Sequence, residues 1–131
     1  MAQSNFERLI TDIPSLGRFP RAELFSSPTI LEPLKSLSKK LGVNLYIKRD
    51  DTLPLAMGGN KVRQLEYYLG EAITQKADTI LITGSVQSNF VRLCAAAARK
   101  FGMRPIVQLE ERVSKSNIEY NRSGNVLLLK M

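Results

Sequence analysis

Histidine is absent from the 131-residue sequence, and cysteine occurs once, as Cys94. Without an imidazole, Ser-His and Cys-His catalytic pairs are excluded, and so is a zinc site built on histidine and paired cysteines. A lone cysteine cannot close an internal disulfide. Long apolar runs are missing too. The longest, residues 93–98 and 126–129, fall far short of the roughly 18–20 residues that a bilayer-crossing helix needs. The first nine residues include Asn5, Glu7 and Arg8 and lack the apolar centre of a secretory signal. A cytoplasmic location with no membrane partner is the expectation.

What is present suits one globular unit, because 44% hydrophobic and 24% charged residues suffice for a core with no compositional sign of disorder. The net charge of +7 asks for an acidic partner. Nucleic acid fits poorly. Lys39, Lys40, Lys48, Arg49, Lys61, Arg63, Arg92, Arg99, Lys100, Arg104, Arg112 and Lys115 are dispersed along the chain, without a dense basic run or a glycine-aromatic motif. A phosphorylated small molecule is also acidic and needs no such run.

Residues 1–30 hold Pro14, Gly17, Pro20 and Pro28 with little periodicity, which reads as an extended arm over something larger. Leu34, Leu37 and Leu41 recur at helical spacing before a stop at Gly42, and Val43, Leu45 and Ile47 alternate as in a strand that Asp50 and Asp51 end. Val62, Leu65, Tyr68, Leu69, Ala72 and Ile73 mark one face of a helix over 60–75. A strand at 79–83, a turn at Gly84, an apolar helix over 88–101, a stop at Gly102, a strand at 105–109 and a helix over 117–131 follow. The class is α/β, a parallel sheet with flanking helices, with Cys94 and Ala95 to Ala98 between layers. Ligands in such sheets bind at the carboxyl ends of strands, which points to the loops 52–60 and 84–89. The sequence stops inside a helical pattern with no cap or breaker, so a truncated chain is expected.

Two segments carry chemistry. In Ala56-Met57-Gly58-Gly59-Asn60-Lys61-Val62-Arg63, two glycines let backbone come close to a ligand, and a lysine opens a helix. The positive helix end and partial desolvation favour the neutral amine that condenses with an aldehyde. Alone, such a turn is more often a plain helix start with a solvated lysine. In Thr83-Gly84-Ser85-Val86-Gln87-Ser88-Asn89, backbone N–H groups and hydroxyls above a buried strand have the form of an anion cradle. Alone, Ser88 is more often a helix N-cap and Asn89 a turn residue.

The ordered blocks Gly17-Arg18-Phe19-Pro20-Arg21, Pro28-Thr29-Ile30-Leu31-Glu32-Pro33-Leu34, Ile47-Lys48-Arg49-Asp50-Asp51, Met57-Gly58-Gly59-Asn60-Lys61, Gln87-Ser88-Asn89 and Ser123-Gly124-Asn125-Val126-Leu127-Leu128-Leu129 resemble the D-cysteine desulfhydrase and 1-aminocyclopropane-1-carboxylate (ACC) deaminase family. The likeness runs from about Leu16 onward. It implies an incomplete fold-type II architecture of the tryptophan synthase β-like kind. Residues 1–50 would be an arm, helix and strand of a large domain, and 51–131 a small α/β domain with the lysine and carboxylate-binding loops. The C-terminal remainder of the family would be absent.

By the same resemblance the cofactor is pyridoxal 5'-phosphate, held covalently by Lys61, which later moves the substrate proton. Asn60 supports the lysine and Asn89 bonds the cofactor's phenolic oxygen. Gln87, Ser88 and Asn89 receive the substrate, and Ser88 is a nucleophile or proton carrier. A small amino acid loses a β-leaving group, D-cysteine giving pyruvate, sulfide and ammonia, with the cofactor as electron sink. ACC deamination and a catalytically inactive fragment are the alternatives, and the full-length family implies a homodimer. Phe90 departs from the pattern, since members often carry His or Gln there. The loop that holds the cofactor phosphate lies in the missing part.

Overall fold

A computed structural model of the chain describes residues 5–114 and 117–131. Val62, Leu65 and Leu69 recur every three to four residues and form the buried stripe of helix α3, Lys61–Thr74. The stripe is narrower than the sequence suggests. Tyr68 is 60% exposed and Ile73 is 44% exposed, while Glu66 turns inward. Helix α4, Asn89–Lys100, buries Val91, Leu93, Cys94, Ala97 and Ala98. Its small residues let it pack against α3 and against both strands of a sheet made of β3, Thr79–Ser85, and β4, Arg104–Glu110.

Strands β3 and β4 pair in parallel, from Thr79 opposite Arg104 to Ser85 opposite Glu110, with α4 as the crossover between them. Gly84 belongs to β3 and is not the turn that the sequence suggests. A Cβ there would lie 2.6 Å from Val91 Cγ2, so glycine is what lets the strand's end seat against the first turn of α4.

The other elements correct several expectations. The strand expected at 43–47 is β2, Tyr46–Lys48, and it pairs antiparallel with a short β1, Leu31–Pro33. The two form a ribbon of their own around helix α2, Lys35–Leu41, so β2 is no part of the parallel sheet. Gly42 ends α2 at φ +68°, its N–H donating to the Ser38 carbonyl. The arm begins with helix α1, Asn5–Asp12, and a 3-10 turn, Pro14–Arg18. Only then does it extend along α3, where the Ala22 N–H donates to the Glu66 carbonyl at 2.8 Å and Ala22 and Leu24 enter the core. The approach is close enough that a Cβ on Gly70 would meet the Pro20 carbonyl oxygen at 2.1 Å. The helix expected over 117–131 is two, α5, Ile118–Arg122, and α6, Gly124–Lys130, because Ser123 is extended and Gly124 has φ +56°.

Two ion pairs tie the arm and the first ribbon to α3. Arg21 donates to both carboxylate oxygens of the buried Glu66 at 2.8 Å, and the Leu24 N–H adds a third bond at 2.9 Å. Arg63 grips Asp50 at 2.8 and 2.6 Å, with Thr29 donating to the same carboxylate. The bonds from Arg63 outweigh burial and hold the Asp50 carboxyl down to about 2. Both guanidiniums lie over the ring of Phe25, Arg21 at 5.7 Å and Arg63 at 5.2 Å from its centroid. No helix among the described residues is long and apolar enough to cross a membrane.

Candidate active site

The chain enters α3 through an unusual backbone. Ala56, Met57, Gly58 and Gly59 have φ of +42°, +67°, +68° and +127°. Glycine takes this region freely, whereas for Ala and Met it costs about 1–2 kcal/mol each. Hydrogen bonds hold the turn: the Gly58 N–H donates to Leu55 O at 2.8 Å, the Gly59 N–H to Asp50 O at 2.8 Å, and Arg92 Nη2 to Gly58 O at 2.9 Å. The glycines face protein. A Cβ on Gly58 would lie 2.3 Å from Asp51 O, and one on Gly59 would face Leu93 and Arg92. The turn therefore folds back on its own loop and onto α4.

Lys61 is the first residue of α3 and is half-buried. Its amine has no hydrogen-bond or ion-pair partner among the described residues. The carboxylates earlier in the loop are engaged elsewhere, Asp50 by Arg63 and Asp51 by Arg49. Asn60 stands exposed just before the lysine and makes no capping bond.

The second loop meets the same end of α3. Besides the Arg92 bond to Gly58, the rings of Phe90 and Tyr68 meet edge to face with centroids 6.4 Å apart. These contacts set the first turn of α4 against the turn that precedes Lys61 and against Tyr68, two turns into α3. Phe90 is a spacer between the helices. Ser88 is the N-cap of α4, its Oγ accepting from the Val91 N–H at 3.2 Å. Its hydroxyl proton remains to be donated.

Asn89 and Gln87 are tied to the far end of the chain. Asn125, buried, donates from Nδ2 to Asn89 Oδ1 at 2.9 Å and to Gln87 O at 2.8 Å. With Oδ1 engaged, the exposed Asn89 presents its N–H donors. The Gln87 amide is committed to backbone: Nε2 donates to the Tyr120 and Ser123 carbonyls, and Oε1 accepts from the Asn125 N–H at 2.9 Å. Asn125 and Arg92 had no assigned role in the sequence. Asn125 stood only within a matching block, and Arg92 only among scattered basic residues. Two cavities, of about 530 and about 460 Å³, lie along the arm, and neither is lined by Lys61 or by 87–89.

Residues 22–126 match the family described as pyridoxal-phosphate dependent enzymes. The chain belongs to this family. It is 48% identical over 117 residues to a D-cysteine desulfhydrase of Klebsiella pneumoniae (strain 342), covering 89% of this chain and 36% of that one. To a D-cysteine desulfhydrase of Salmonella paratyphi B it is 48% identical over 114 residues, covering 87% and 35%. A solved structure described as an ACC deaminase homologue superposes with a TM-score of 0.77 at 40% identity, covering 88% of this chain and 33% of the other. The chain thus spans about a third of the length of these relatives.

The residues present fit the aldehyde side of the family's cofactor. A half-buried primary amine without a partner is the group that condenses with an aldehyde, and an amide turned to show N–H suits a phenolic oxygen.

Proposed function

We propose that this chain is the lysine-bearing part of a pyridoxal-phosphate dependent lyase that acts on a small amino acid, with D-cysteine, cleaved to pyruvate, sulfide and ammonia, as the first substrate and ACC as the second. The observation that carries the reading is the half-buried Lys61, whose amine has no partner among the described residues and which opens α3 just after the turn that Arg92 of α4 holds. Identity to two D-cysteine desulfhydrases supports the order of substrates.

In this reading Lys61 holds the cofactor and later moves a proton at the substrate carbon. Asn60 supports the lysine, and Asn89 donates to the phenolic oxygen. Pyridoxal phosphate, when bound, supplies the electron sink. Ser88 donates a hydrogen bond from its hydroxyl to the substrate carboxylate, and in ring opening it is the nucleophile or the proton carrier. Gln87 serves the same loop by fixing its shape. We read residues 1–50 as part of a larger domain and 51–131 as a smaller one, a division supported by the separate sheets β1–β2 and β3–β4.

Adding pyridoxal phosphate to the purified chain and recording the visible spectrum tests the proposal. A new absorption band above that of the free cofactor is expected, and Lys61→Ala should abolish it. An unchanged free-cofactor spectrum in the wild-type chain would favour a second reading, a chain inactive by itself. That reading is motivated by the position of both cavities away from Lys61.

A further inference from the structure

Arg92 is an expensive residue for its position. Its guanidinium donates once, from Nη2 to the Gly58 carbonyl at 2.9 Å, while Nε is buried with no partner. No carboxylate pairs with it among the described residues, and burial pulls it below the usual arginine range. A half-buried guanidinium with one nitrogen out of water, unbonded and without a counter-charge, is unfavourable, and an apolar side chain of similar length would fill the same space without leaving that N–H unpaired.

What Arg92 holds explains its presence. The Gly58 carbonyl and the Gly59 N–H belong to one peptide group. Arg92 grips that group by its oxygen, and the Asp50 carbonyl grips it by its hydrogen at 2.8 Å. The group lies within the run of four positive-φ residues and two residues before Lys61, where a rotation of one peptide plane would redirect the chain into α3. Arg92 also sits three residues after Asn89, on the same side of α4.

We propose that Arg92 is a positioning residue: by clamping the 58–59 peptide to the first turn of α4, it fixes where the Lys61 amine stands relative to Asn89. The proposal rests on the reading of Lys61 as the cofactor lysine, and the test separates the two.

In the full chain, Arg92→Met keeps the stem and removes the donors. Amide hydrogen exchange followed by mass spectrometry should show exchange in peptides covering 56–62 rising at least tenfold, with β3 and β4 unchanged. In parallel, pyridoxal phosphate followed by borohydride should label Lys61 of the wild type above the exposed Lys39 and Lys40, and Arg92→Met should bring Lys61 down to their level. Arg92→Lys, which restores one donor, should fall between the two. Unchanged exchange at 56–62, or a rise spread over the whole protein, overturns the proposal. If Arg92→Met does not fold, Arg92→Lys decides alone, since local loosening at 56–62 is still required. A wild-type Lys61 labelled no more than Lys39 and Lys40 would sink the cofactor reading, while the exchange data would still decide for or against the clamp.

Discussion

Glu66 is where the sequence misleads most. It follows Leu65 in α3, where a charged residue ordinarily faces water, yet it is buried and accepts three hydrogen bonds from the arm. No periodicity can announce this, because its partners Arg21 and Leu24 lie more than 40 residues away in sequence. Glu66→Ala should cost about 3 kcal/mol, since it strips the acceptor from a partly buried guanidinium, and a thermal or denaturant midpoint measures that loss. Cys94 is the opposite case, an apolar position that the sequence marked well. Burial pushes its thiol up to about 11, so a thiol reagent at pH 8 should modify the folded protein at least a hundredfold more slowly than the unfolded chain. Equal rates would place Cys94 outside the core.

At the scale of elements, segments with a local pattern were legible, the strands at 79–83 and 105–109 included, and those made by tertiary pairing were not. α3 and α4 lie within one residue at each end of the helices expected over 60–75 and 88–101, and Gly102 follows α4 as the stop. β1 has three residues, one of them proline, and exists because β2 pairs with it, which no local pattern encodes. The break between α5 and α6 depends on the left-handed Gly124 held near Gln87, again a tertiary cause. Lysine and loop were legible as blocks, whereas the Asn125 and Arg92 contacts that shape them were not. Ser88→Ala removes the cap of α4 and should destabilise the protein by about 1 kcal/mol, with Ser88→Asp recovering most of it. Gln87→Ala frees three backbone groups of the 120–125 corner. Faster amide exchange over α5 and α6, with β3 and β4 unaffected, is the expected signature.

At the scale of the molecule, acid should act through Asp50. Its carboxyl titrates near 4 in an unfolded chain and at about 2 in the folded one, so the folded state resists protonation there. The stabilisation is complete above about pH 4, fades as pH falls toward 2 and is absent below. Arg63 is 40% exposed, so water screens the pair and the contribution is about 1 kcal/mol. Asp50→Asn should flatten the unfolding midpoint between pH 4 and 2, and an unaltered slope would assign the acid sensitivity elsewhere.

The sheet has one further consequence. α4 covers one side of β3 and β4, while the register partners Leu81 and Ile106 on the other side are 75% and 43% exposed, although parallel strands are ordinarily covered on both sides. The +7 charge keeps molecules apart in dilute buffer, but at 0.1 M ionic strength that repulsion reaches only about 10 Å. Added salt thus silences the repulsion and leaves the bare leucine and isoleucine in command. This protein should precipitate from saline before it does from pure water, and one lysine in place of Leu81 should reverse that order.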